Sequence, residues 1–178
     1  MIKEEFIRTY ELKIQIITLS DRASKGEYQD LSGPEISNLV TTFFQEKNWK
    51  FNSSIQLIPD DPQELEKLLK TAKESKADIV ITTGGTGIGP RDFTPDVAKK
   101  HIDKEIPGIM ENIRLKYGQI NPNALLSRAV AGIMGQTQLY CLPGSVKAVK
   151  EYMTEILKTL EHLIFMLHGV DVHVHKRK

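Results

Sequence analysis

Residues 77–100 read ADIVITTGGTGIGPRDFTPDVAKK, an apolar β-branched run followed by four glycines within six positions and then by Thr94-Pro95. The Ile- and Val-rich run predicts a buried strand. Thr94 as a cap, with Pro95 at the first helical position, predicts a helix behind the loop. Two similar units precede this one. LKIQIITLS (12–20) predicts a strand and the polar RASKGEYQDLSG (22–33) a surface loop. Ile36, Leu39, Val40, Phe43 and Phe44 then follow at helical spacing behind Ser32 and Pro34, as a capped amphipathic helix would. SSIQLIPD (53–60) predicts a second strand, and Pro62 opens a helix with Leu65, Leu68, Leu69 and Ala72 on one face. Each crossover helix returns the chain to the same edge direction, so the strands pair in parallel. The expected class is α/β, with a mostly parallel sheet covered by helices on both faces.

Downstream, IPGIMENIRLKYG (106–118) and NALLSRA (123–129) look helical, and VAGIMGQTQLYCLPGS (130–145) reads as two strands about a Gly135 turn. A long closing helix carries Met153, Ile156, Leu157, Leu160, Leu163, Ile164 and Leu167 on one stripe, a packing surface rather than a cofactor site.

The chain has 178 residues, enough for one sizeable core, and residues 1–178 are expected to form a single domain. Lys plus Arg is 24 against 23 for Asp plus Glu, a net charge of +1, which gives no reason to expect nucleic acid or a membrane surface as partner. MIKEEFIRTY lacks the apolar core of a secretory signal and no run has the length of a membrane span, so a cytoplasmic location is expected. Cys141 is the only cysteine and reads as a small buried hydrophobe on a strand. His168, His173 and His175 are spaced for metal contact, but at a terminus, where order is rarely good.

In an open parallel sheet, ligands bind beyond the carboxyl ends of the strands. SDRAS, PDD, TGGTGIGPRD and LPGS each fall at such an end. The glycine loop fits neither standard phosphate motif, since Pro90-Arg91 follow Gly89 where a P-loop needs Lys and then Ser or Thr, and position 90 of a dinucleotide fingerprint needs glycine. The physics of those motifs still applies: glycines let backbone N–H groups approach an anion, and a helix starting near Thr94 adds a positive end. A plain turn remains the alternative, although it needs one glycine rather than four. Asp60 and Asp92 end adjacent-looking strands. Each reads equally as a cap or solvated loop acid, with Asp61 the better cap before Pro62, or as half of a carboxylate pair. A pair facing an anion cradle would repel the ligand unless a divalent cation, most simply Mg²⁺, lay between them.

Together, TLSDRASKGEYQDLSGP, LIPDD, TTGGTGIGPRDFTPD, LSRAVAG and LPGSVKAV resemble the molybdenum-cofactor biosynthesis domain, most closely its Mog-type molybdopterin adenylyltransferases, and are similar to the gephyrin G domain. The resemblance runs from about Leu12 to the closing helix, leaving 1–11 as an N-terminal extension and 169–178 as a basic tail. It implies a three-layer fold, commonly assembled as a homotrimer, that transfers AMP from ATP to molybdopterin with release of pyrophosphate. Mg²⁺ is the implied cofactor and a molybdenum-insertion protein a further partner. By the same resemblance Asp60 and Asp92 are the catalytic and Mg²⁺-binding aspartates. Ser20, Asp21, Thr83, Gly84, Gly85, Thr86, Gly87, Pro143, Gly144, Ser145 and Lys147 match the nucleotide and phosphate contacts. One departure is Val146, where the family often has proline. Arg22, Arg91, Arg128 and Lys147 read as phosphate contacts or as solvated charges. The rival readings are a non-catalytic pterin carrier or scaffold and a nucleotide pyrophosphohydrolase.

Overall fold

A computed structural model describes residues 3–170. The chain opens with α1 (Lys3–Thr9), which buries Phe6, and enters β1 (Glu11–Leu19). Next come the one-turn α2 (Asp21–Ser24), α3 (Ser32–Glu46), β2 (Lys50–Ile58), α4 (Pro62–Glu74), β3 (Ile79–Thr83) and α5 (Thr94–Lys99). A two-residue β4 (Lys104–Glu105), α6 (Pro107–Gly118) and a 3-10 turn at Pro122–Leu126 lead to β5 (Val130–Met134), β6 (Thr137–Leu142) and α7 (Val146–Leu167).

The strands form one sheet in the order β2-β1-β3-β6-β5-β4. β2, β1, β3 and β6 are mutually parallel, while β5 and β4 add antiparallel pairs at one edge. Side chains alternate between the faces. Ile79 and Ile81 of β3 pack with Ile14, Ile16, Phe44, Met153, Ile156 and Leu160 under α3 and α7. Val80 faces the other way, with Ile17, Leu65, Leu69, Val97 and Cys141 under α4 and α5. Two cores on one sheet make the three layers, and all five residues of β3 are buried between them. Cys141 behaves as a core residue, and burial pushes its thiol up to about 12. Most of the α7 stripe is likewise packing surface: Met153, Ile156, Leu160 and Ile164 are buried.

Several local readings change. β1 lies between β2 and β3, so the strands that lead to Asp60 and Asp92 are not neighbours. The loop after β1 starts as α2, capped by Ser20, whose hydroxyl accepts from the Ala23 N–H at 3.2 Å. Ser32 does not cap α3. The Asp30 carboxylate does, accepting from the N–H groups of Ser32 at 2.9 Å and Gly33 at 3.2 Å and from the Thr18 hydroxyl at 2.7 Å. Thr94 does not cap α5 either; its hydroxyl is buried without a partner, although Pro95 stands in the first turn as expected. NALLSRA makes a 3-10 turn instead of an α-helix, capped by Asn121. His168 Nε2 donates to the Asp78 carboxylate at 3.1 Å, whereas His173 and His175 lie outside the described residues. No described helix is long and apolar enough to cross a membrane.

Asp30 therefore holds the start of α3 to β1 through one carboxylate. Asp30→Ala is expected to lower unfolding free energy by about 2 kcal/mol in denaturant titration. Ser32→Ala, which loses only the bond that the Ser32 hydroxyl donates to Asp30 at 2.9 Å and keeps both backbone N–H groups, should cost clearly less; equal costs would show that Asp30 does not act as the cap.

Candidate active site

The carboxyl ends of β1, β2, β3 and β6 bring four loops together. At their centre the chain leaves β3 through Thr83 and Gly84. The Thr83 hydroxyl donates to the Pro143 carbonyl at 2.9 Å, and the Gly84 N–H donates to the Leu142 carbonyl at 3.0 Å. Gly84 has φ +108, and a Cβ there would collide with the Leu19 carbonyl oxygen. Only glycine passes between β1 and β6 in this way. Thr83 thus positions the Pro143-Gly144 turn from a buried site rather than facing solvent.

Beyond Gly85 the loop curls around Asp92. The Gly89 N–H donates to Asp92 Oδ2 at 2.8 Å, and a Cβ on Gly87 would lie 2.6 Å from the same oxygen. The loop is therefore partly an anion cradle in miniature, filled on one side by its own aspartate. Arg128 fixes its outer wall. The Arg128 N–H donates to the Thr86 carbonyl at 2.9 Å and its Nε to the Gly87 carbonyl at 2.7 Å, while the guanidinium also reaches the Asp92 carbonyl. Its Nη1 is 2.9 Å from both oxygens of Asp96. This guanidinium is a latch on the loop, not a free phosphate contact, and Asp96 serves it as counter-ion besides standing in the first turn of α5.

On the other side, β1 and β2 are tied by a reciprocal pair. The Asp21 N–H donates to Asp60 Oδ2 at 3.1 Å and the Asp60 N–H to Asp21 Oδ1 at 2.9 Å. Arg91 reaches across from the glycine loop to Asp21 Oδ2. The Asp60 N–H, and after it the Arg91 guanidinium, hold the Asp21 carboxyl below its ordinary value. Asp61 caps α4, accepting from the N–H groups of Gln63 at 2.7 Å and Glu64 at 3.3 Å, which leaves Asp60 for the site.

Two cavities open here. One, of about 480 Å³, is charged: Ser20, Asp21, Arg22, Lys25, Asp60 and Arg91 line it. The other, of about 470 Å³, lies between the glycine loop, the 3-10 turn and the start of α7, where Ser145 caps the helix by accepting from the Ala148 N–H at 3.2 Å. Gly85 and Asp92 line both. Thr86, Gly87, Pro143, Gly144, Ser145 and Lys147 line the second cavity, so the sequence-derived set falls into two compartments that share Gly85 and Asp92, except Thr83 and Gly84, which line neither.

Sequence reasoning missed Lys25 in the first cavity and Asn121, Asn123, Glu151 and Tyr152 in the second. Glu151 and Tyr152 stand one helical turn beyond Lys147 and Ala148, so helical spacing counted from LPGS was the signal for them. Nothing in the local pattern singles out the two asparagines.

A divalent cation fits the charged cavity. Asp60 and Asp92 each bind one N–H through Oδ2 and leave Oδ1 without a hydrogen bond from any described residue. Among the described residues no group of three or more acids, histidines or cysteines forms a ready-made metal cage. Mg²⁺ suits such a half-site, since it is usually held by one or two carboxylates together with water and substrate phosphates.

Residues 15–162 match a family described as a probable molybdopterin binding domain. The chain is 32% identical to a molybdopterin adenylyltransferase of Helicobacter pylori over 167 residues, 93% of each chain. It is 38% identical to one of Pyrococcus furiosus over 167 residues, 91% of this chain and 94% of that one. The structure of a molybdopterin biosynthesis Mog protein from Mycobacterium ulcerans superposes with a TM-score of 0.80 at 30% identity, covering 90% of this chain and 99% of that one.

The brace at Asp21 has a pH consequence. A carboxyl held low in the folded state stabilises that state above its unfolded value, and the contribution is lost as pH falls through the lowered value. In an NMR titration Asp21 is expected to titrate below ordinary aspartate, and in Arg91→Ala to move part of the way back. An unchanged Asp21 titration in that variant would show that the ion pair does not act on it.

Proposed function

This chain belongs to the family of probable molybdopterin binding domains, and we propose that it is a molybdopterin adenylyltransferase, transferring AMP from Mg-ATP to the terminal phosphate of molybdopterin. The observation that carries this reading is the pair of cavities that share Gly85 and Asp92, one compartment for each of two substrates whose reacting groups must meet. Relatives named for this activity support it across nearly the whole chain.

The reaction joins two anions. An oxygen of the molybdopterin phosphate forms a bond to the α-phosphorus of ATP, and the bond from that phosphorus to the bridging oxygen breaks, its electron pair leaving with pyrophosphate. The attacking phosphate is already ionised, so no strong base is required. The barrier lies in bringing like charges together in line. Arg22, Lys25 and Arg91 supply positive charge around the first cavity, while the Asp21–Asp60 brace and the Arg128 latch keep the loops from having to reorganise. Asp60 Oδ1 and Asp92 Oδ1 would hold Mg²⁺, which when bound neutralises phosphate charge. Neither aspartate acts as a proton acceptor.

The same reading extends to a homotrimer in the cytoplasm that hands its product to a molybdenum-insertion protein. Apolar surface left exposed at Leu115, Ile120 and Leu125 supports self-association.

Purified protein with molybdopterin, Mg-ATP and a pyrophosphate detector is expected to release pyrophosphate only when the pterin is present. Release without pterin would instead indicate a hydrolase, and silence in both arms a carrier. Asp92→Asn keeps an acceptor for the Gly89 N–H but loses the charge, so turnover should fall at least about a hundredfold with pterin binding retained. A fully active Asp92→Asn enzyme would remove Asp92 from the chemistry. Light scattering should give three times the monomer mass, and a monomeric mass at assay concentration would exclude the trimer.

A further inference from the structure

Arg128 latches the glycine loop, and Arg128 is itself held by another arginine. Arg114 stands on α6 beside Ile113, which with Met110 is buried in the core and ties that helix to the sheet. Its Nη1 donates to the Ala129 carbonyl at 3.2 Å and, near the limit of a hydrogen bond, to the Ser127 carbonyl at 3.4 Å. One nitrogen on a rigid element therefore grips the chain immediately before and immediately after Arg128. The bend between them is closed on itself, since the Ala129 N–H donates to Ser127 Oγ at 3.3 Å.

The Ser127 carbonyl and the Arg128 N–H belong to one peptide unit, which is planar and trans, with its two polar ends pointing in opposite directions. Arg114 holds the carbonyl end, and the Thr86 carbonyl accepts from the N–H end at 2.9 Å. Fixing both ends fixes the plane from which the Arg128 side chain sets out toward the carbonyls of Gly87 and Asp92. A cation on the carbonyl also polarises the unit, so that its N–H becomes a stronger donor to the loop. A neutral donor would be enough to satisfy two carbonyls. Arg114 instead brings a full charge that pairs with no carboxylate among the described residues, so its field acts on the peptide rather than on an ion pair. It lines neither of the two cavities at the strand ends, and any influence on what binds there has to pass through the chain it holds.

We propose that Arg114 is a positioning residue, which sets the glycine loop, and Asp92 with it, by orienting the peptide that carries Arg128. The consequence for turnover rests on the adenylyltransferase reading; the hold of Arg114 on the loop does not.

The test uses Arg114→Met in the full chain, which keeps an apolar stem but donates nothing. Amide hydrogen exchange followed by NMR is expected to be about tenfold faster at the Arg128 N–H and at the Asp92 N–H, which donates to the Gly89 carbonyl at 3.0 Å, with the β3 amides unchanged. In the pyrophosphate assay kcat/KM should fall about tenfold, because a displaced loop misplaces the reactants. Added to Arg128→Met, the same substitution should cost less than about threefold, since the two arginines act in series. Arg114→Lys should recover most of both losses, because a single nitrogen makes both bonds and a point charge can stand in for it. Wild-type exchange at Arg128 and Asp92 in Arg114→Met, or an equal loss of kcat/KM in both backgrounds, would overturn the assignment. So would loss of the folded state or exchange raised equally throughout β3, either of which shows a merely structural role. Faster exchange confined to those two amides and recovered by Arg114→Lys, in a protein that releases no pyrophosphate, would sustain it and sink the adenylyltransferase reading alone.

Discussion

The structure turns on the passage of Gly84 between the last carbonyl of β1 and the end of β6. A side chain at that point would strike the Leu19 carbonyl, and the backbone there is left-handed. Because the passage is so narrow, the loop after β3 cannot spread over the end of the sheet. It is forced upward and outward, between the loops that follow β1 and β6, and this places Gly85 and Asp92 on the boundary of two cavities rather than inside either. A Cβ on Gly144 would lie 3.4 Å from Gly84 Cα, so the two loops pack closely there.

Preorganisation is the theme of the surrounding contacts. Several of the charged groups near the site are engaged before any ligand arrives: Asp21 with the Asp60 N–H and Arg91, Asp92 with the Gly89 N–H, the Arg128 guanidinium with two carbonyls and Asp96. A reaction between two anions gains most from dipoles and charges that are already in place, since each one that must swing in costs reorganisation. Arg91 is held more loosely. Its pair with Asp21 is exposed, with the guanidinium side chain 66% accessible, and is the contact most readily exchanged for a phosphate.

The fold was largely legible in the sequence because β1, β3, α4 and α7 carry strong periodic patterns with apolar faces that must be buried. The place of Thr83 to Gly89 and of the two aspartates at strand ends was legible for a different reason: each cluster follows directly on an apolar run. What escaped notice depended on partners distant in the chain. Arg128 looked like any surface cation until the fold brought it against Thr86, Gly87 and Asp92. Asp30 outcompeted Ser32 for the start of α3 because its carboxylate could bind the helix and Thr18 together, which no local pattern records. β4 is two residues long, too short to show a period. Glu151 and Tyr152 lie inside α7, where an acid and an aromatic beside an apolar stripe look like any amphipathic helix.

That helix has a mechanical consequence. At 22 residues α7 is about 33 Å long. Its first turns line the second cavity, while its last turn is moored at the opposite end of the sheet: Phe165 packs on Trp49 and Phe6, and His168 is held by Asp78 beside the stacked rings of Phe6 and Tyr10. A rod fixed at one end transmits tilt to the other. The aromatic mooring around Phe6, far from the strand ends, thereby helps to set the tilt of the helix wall, and the depth of the second cavity is determined in part by residues that do not line it.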